Sequence, residues 1–144
     1  MPGSRGRRTV TVLVLGAVLA LAVATAARAW STGFGHVTAP DRALRAGCHR
    51  YGYHYVVKPG SDDWILETWL HDPRGRPRGS GDFLAGSDPK VGRGRFGVCR
   101  STVVPGRFTI TARLRWYTPA VLPIDPPVEH TRWFRPAHVR LTRH

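Results

Sequence analysis

Apolar and polar residues alternate without a break from Phe108 to Tyr117. Phe108, Ile110, Ala112, Leu114 and Trp116 share one face, and Thr109, Thr111, Arg113, Arg115 and Tyr117 share the other. A period of two marks a strand with one face in a core and the other in water. Pro105-Gly106 precedes it as a turn signal. The expectation is a core strand with Ile110 and Leu114 buried and Arg113 and Arg115 facing solvent. The turn is expected to join it as a hairpin to a strand over 95–103.

The same pattern recurs upstream. Tyr51, Tyr53, Tyr55 and Val57 fall on one face of an aromatic and β-branched run, His49–Val57. In Trp64–Leu70 both faces are partly apolar, with Trp64, Leu66 and Leu70 against Ile65, Glu67 and Trp69, which predicts a central strand. Lys58–Asp63 reads as a turn. Asp72–Gly81 reads as a long loop rich in glycine, proline and arginine, followed by a short strand over 82–85 and a turn over 86–94. The four prolines of Pro119–Pro127 exclude a sheet interior and predict an extended connection. Two weaker strands, Val128–Phe134 and Ala137–Leu141, flank Pro136 and suit a charged edge.

The first 29 residues differ in kind. Arg5, Arg7 and Arg8 precede an apolar run, Val10–Ala27, and Ala27-Arg28-Ala29 matches an A-x-A cleavage site. This predicts a hydrophobic helix, acting as a signal peptide or, if uncleaved, as a membrane anchor through residues 10–27. Either way the folded part lies outside the cytoplasm. Leu44-Arg45-Ala46-Gly47-Cys48 imitates a lipobox, but Arg45 stands where a bulky apolar residue is needed. Residues 30–47 show no sustained period and read as a linker and lead-in segment. The domain proper is expected over 48–144.

Several short strands separated by turn signals predict an all-β sandwich. Two stretches carry a resemblance. Trp64–Gly75, ending in Asp72-Pro73-Arg74-Gly75, resembles the second strand and turn of bacterial immunoglobulin-like domains. Pro105–Ala112 resembles the Gly-x-aromatic penultimate strand of the polycystic-kidney-disease-type modules. The resemblance implies an immunoglobulin-like antiparallel β-sandwich in a small exported protein of high-GC bacteria. It departs from the antibody pattern, because Gly97 stands where a tyrosine corner would place tyrosine.

Charge and cysteines refine the picture. Residues 1–29 carry four arginines and no acid, so residues 30–144 keep 18 basic and 9 acidic residues, a charge of +9. Such a balance favours an anionic partner, either an envelope polymer or a lipid surface. Nucleic acid is not expected for an exported chain, and arginine that merely solubilises the surface is the bland alternative. Two arginine groups are the candidate anion sites: Arg74, Arg76 and Arg78 in the loop, and Arg132, Arg135 and Arg140 with Trp133 near the C-terminus. Cys48 and Cys99 are the only cysteines and are expected to form one disulfide.

No catalytic constellation can be assembled. Glu67 and Glu129 are the only glutamates, and Gly79-Ser80-Gly81 lacks the setting of a nucleophile elbow. No pair of histidines has metal-site spacing, so neither metal nor cofactor is expected. The functional expectation is an exported, non-enzymatic binding or interaction domain. The alternative is a small secreted hydrolase with unidentified catalytic residues.

Overall fold

Residues 30–143 are described by the structure, a computed structural model. The expected hydrophobic helix lies outside them. Ten strands build two sheets: β1 (Trp30–Ser31), β2 (Gly35–Thr38), β3 (Arg42–Ala43), β4 (Cys48–Val57), β5 (Trp64–His71), β6 (Pro77–Leu84), β7 (Val91–Cys99), β8 (Gly106–Thr118), β9 (Val128–Phe134) and β10 (Ala137–Thr142). Among the described residues there is no α-helix, only a 3-10 turn over Arg100–Thr102. The protein is an all-β, two-sheet structure.

The larger sheet is organised on β8. One edge of β8 pairs antiparallel with β5, which pairs in turn with β6. Its other edge is shared, with β9 along Arg113–Thr118 and β10 along Gly106–Ile110. The strands β9 and β10 therefore run on as one interrupted strand. The break falls at Arg135-Pro136, where proline removes a ladder donor. Beyond it, β1 pairs parallel with β9, and β3 pairs parallel with β10. The smaller sheet has the order β2-β4-β7, with β4 antiparallel to both neighbours. Residues 30–47, read as a linker and lead-in, contribute edge strands to both sheets.

Alternation places the core between the sheets. Phe108, Ile110, Ala112, Leu114 and Trp116 of β8 are all buried, as are Trp64, Leu66 and Leu70 of β5. From the smaller sheet come Tyr53, Tyr55, Val57, Phe96 and Val98. Tyr53 ties the layers together. Its hydroxyl lies 2.7 Å from Thr68 Oγ1, which itself donates to the Gly81 carbonyl. Burial, opposed by the Thr68 hydrogen bond, pushes the Tyr53 phenol up to about 12. The Tyr53 ring lies across Gly94, its pairing partner on β7. A Cβ on Gly94 would sit 2.1 Å from the ring carbon Cζ, so the position has room for glycine only.

Two expected elements are corrected. The stretch Pro77–Gly81 is strand, not loop, and pairs with β5. The strand ending at Cys99 and the β8 strand do not form a hairpin. They lie in different sheets, and the segment 100–105 crosses from one to the other. A turn signal marks a change of direction without naming the next partner. The strand before that crossover also starts earlier than expected, at Val91.

Strand registers divide the molecule into two ends. One gathers the β5–β6 turn, the start of β8, the end of β10 and the Cys48–Cys99 pair. The other gathers the 58–63 turn, the 85–90 turn and the 119–127 loop. There the Tyr117 backbone N–H donates to the Asp63 carbonyl.

Candidate functional site

At the first end, β3 and the start of β4 face each other across a groove of about 500 Å³. It is lined by Asp41, Arg42, Ala43, Arg45, His49, Arg50, Tyr51 and Gly52. The Tyr51 hydroxyl braces the wall, accepting from the Arg45 backbone N–H and donating to the Ala43 carbonyl. His49 Nε2 lies 2.7 Å from the Ala46 carbonyl oxygen, and Asp41 accepts from the Arg140 backbone N–H. Among the described residues no carboxylate lies within 4.0 Å of the Arg42, Arg45 or Arg50 guanidinium.

Further arginines border the groove. A smaller cavity on the other side of β3 is lined by Arg42, Asp41 and Arg140. Arg140 and Arg107 are direct cross-strand partners and both are exposed. Like charges facing each other this way destabilise a sheet pair. Beside them, burial and the Arg107 charge hold His138 below its ordinary range. Arg74 and Arg76 project from the β5–β6 turn at the same end.

Arg78 plays a different part from its two neighbours. Its Nε and Nη2 donate to Asp72 Oδ2 at 2.9 and 2.6 Å, while Asp72 Oδ1 accepts from the Arg74 and Arg76 backbone N–H groups. Asp72 is buried and holds the turn closed. Burial alone would raise its carboxyl. The Arg76 N–H, the Arg78 guanidinium and the Arg74 N–H more than offset this, leaving it below its ordinary value of 3.8. A carboxyl held low stabilises the fold above its unfolded pKa, and that stability is lost as pH falls through the lower folded value. Asp72→Asn should therefore lower stability at pH 7 by about 1.5–3 kcal/mol. It should also flatten the acid limb of the stability curve below about pH 4. Urea titrations over a pH series would check this, and an unchanged acid limb would refute the role given to Asp72.

The C-terminal group is dispersed rather than assembled. Arg132 and Trp133 point to opposite sides of the larger sheet. The Arg132 guanidinium covers Phe34 and Trp116, 5.2 and 5.7 Å from their ring centroids. Arg135 lines a separate hollow with Ser31, His36 and Pro136. Of that group only Arg140 reaches the arginine-rich end. Trp133 packs on the outer face against Trp69, with Arg113 over both rings at 5.5 Å.

That outer face answers for the glutamates. Glu67 accepts from Arg113 Nε and Nη2 at 2.7 and 2.9 Å. Arg115 Nε lies 3.2 Å from the same carboxylate but off-axis, and makes no hydrogen bond. The Arg113 hydrogen bond outweighs burial and holds Glu67 below its ordinary range. Glu129 accepts from the Tyr117 hydroxyl. Among the described residues, no three His, Cys, Asp or Glu side chains gather as a metal-binding group.

The sequence reading missed Arg42, Arg45 and Arg50. Arg42 and Arg45 lie in a stretch without periodicity and Arg50 on the face of β4 opposite Tyr51, and they border one groove only when β3 is laid beside β10. The signal present was the pairing of Cys48 with Cys99, now observed as a cross-strand bridge between β4 and β7. No known protein family matches the chain, and no curated protein matches it.

Proposed function

We infer that the chain is an exported, immunoglobulin-like, non-enzymatic module that binds an anionic polymer of the cell envelope at its arginine-rich end. The observation that carries this reading is the groove in which Arg42, Arg45 and Arg50 have no carboxylate partner. Guanidinium groups match phosphate and carboxylate geometry with two parallel donors. The facing Arg107 and Arg140 extend the site, and their repulsion is relieved when an anion bridges them. The immunoglobulin-like reading draws on two packed sheets with β8 at the centre of the larger one. The bridge departs from the antibody arrangement, since it joins two strands of one sheet.

The disulfide fits an extracytoplasmic location. Among the described residues no helix is long and apolar enough to cross a membrane. Export itself rests on the sequence of residues 1–29.

Polyphosphate and polygalacturonate serve as binding probes. Replacing Arg42, Arg45 and Arg50 by alanine together should weaken binding by about 100-fold or more, at roughly 1.4 kcal/mol per tenfold step. Binding should also weaken with added salt. Alanine at Arg93 and Arg95, exposed on β7, should change it little. Equal losses from both variants would mean that only net charge matters, and the groove would lose its role.

A small hydrolase is the second reading, favoured by one observation: Asp41 and His49 line the same groove. Their hydrogen bonds run to Arg140 and Ala46 rather than to each other, so binding is preferred. Turnover of an ester or glycoside that disappears in His49→Ala would reverse the order.

A further inference from the structure

The 119–127 loop stands at the end opposite the arginine groove. Its aliphatic side chains point into water: Val121 is 98% exposed, Ile124 89% and Leu122 54%. Isolated exposed aliphatics are ordinary, but three within four residues on one protruding loop form a contiguous apolar tip. The loop's backbone is partly satisfied: the Ala120, Val121, Leu122 and Ile124 N–H groups have no partner among the described residues and need the hydrated headgroup level, with only the side chains reaching deeper. Pro119, Pro123, Pro126 and Pro127 have no N–H to leave unsatisfied, and the Asp125 N–H donates to the Leu122 carbonyl. Proline also fixes the loop's shape in advance, so little entropy is lost on docking.

Charge at this end decides what kind of surface the tip meets. Asp62, Asp63, Asp88, Asp125 and Glu129 gather there against Lys58, Lys90 and Arg115; Lys90 is paired with Asp62, and Arg115 Nη1 lies 3.8 Å from Glu129. A polyanion is repelled, so the contact must be made by aliphatic burial. The path of the chain names the occupant. Strand β1 runs parallel to β9, and β9 starts directly after the loop at Val128. The chain therefore enters β1 travelling away from the loop end. Ahead of Trp30 in sequence stands the apolar run Val10–Ala27.

We propose that the 119–127 loop inserts Val121, Leu122 and Ile124 into the outer leaflet of a lipid bilayer, a contact that rests on the uncleaved-anchor reading of residues 10–27. The acidic, apolar end then faces the membrane and the arginine groove faces away from it. This does not rest on the polymer reading, because the groove and the loop share no residue.

The test places a photo-crosslinking amino acid at position 121 of the full chain, reconstituted in phosphatidylcholine vesicles with and without phosphatidylglycerol. A second chain carries it at position 74, in the turn at the opposite end. Non-reducing mass spectrometry first verifies the Cys48–Cys99 bridge. Lipid adducts are expected at 121 in both vesicle types and absent at 74. With the crosslinker at 122, the V121D and I124D substitutions together should abolish the adduct. Adducts to a second copy of the chain, no adduct at 121, or equal lipid adducts at both positions would each overturn the proposal.

Discussion

Leu114→Ala should destabilise the protein by about 2–5 kcal/mol, the usual cost of emptying a fully buried leucine site. Leu114 has no exposed surface and lies mid-strand on β8, opposite Leu66 of β5. The cavity would open between the sheets, where rigid rings on both sides limit collapse. Its sequence neighbour gives the comparison. Arg113 was expected to face solvent, and its truncation would then cost almost nothing. Instead it is clamped by Glu67 and covered by Trp69 and Trp133. Arg113→Ala should cost about 1–3 kcal/mol, the scale of a charge-assisted hydrogen bond with added cation–π contact. Urea denaturation of both variants would check the pair. A larger loss for Arg113→Ala would mean that the inner face of β8 has been misassigned.

Opening the Cys48–Cys99 bridge should cost about 4 kcal/mol, the chain-entropy value for a loop of this length. The two residues are 51 apart in sequence and directly opposed across β4 and β7. A domain of this size has a net stability of roughly 5–15 kcal/mol, so the bridge supplies a large share. Cys48 is exposed, so a reductant can reach it. Replacing both cysteines by serine should lower the urea midpoint to the same extent as reduction does. A loss below about 1 kcal/mol would show that the sheets hold without the bridge. The groove lies beside the bridge, so the polymer binding proposed for it should weaken in the same variant.

What could be read from the sequence was local. The faces of β4, β5 and β8 follow from a period of two, and their inward residues are the core. What could not be read was pairing. Pro77, Arg78 and Gly79 have loop composition, yet they extend because Asp72 draws the turn shut and β5 offers an open edge. Arg74, Arg76 and Arg78 look equivalent in sequence, yet one is neutralised by a buried carboxylate and two are not. Arg132 and Trp133 are adjacent and separate to opposite sides of a sheet, as strand geometry requires. The groove arginines lie within nine positions of one another but border one groove only because β3 is held by β10, far along the chain.

The placement of β1 and β3 has a consequence for when the chain can fold. Both edge strands lie near the beginning of the described residues, and both pair with strands near its end. The hydrogen bond from Arg140 to Asp41 joins residues 99 apart. Contacts of such separation form late, because the loop between them must be closed first. A chain made from its N-terminus presents residues 30–43 well before their partners in β9 and β10. Until then the larger sheet has an open edge and the groove has only one wall. Closure of this edge, and with it of the groove, therefore waits until the residues of β9 and β10 are available.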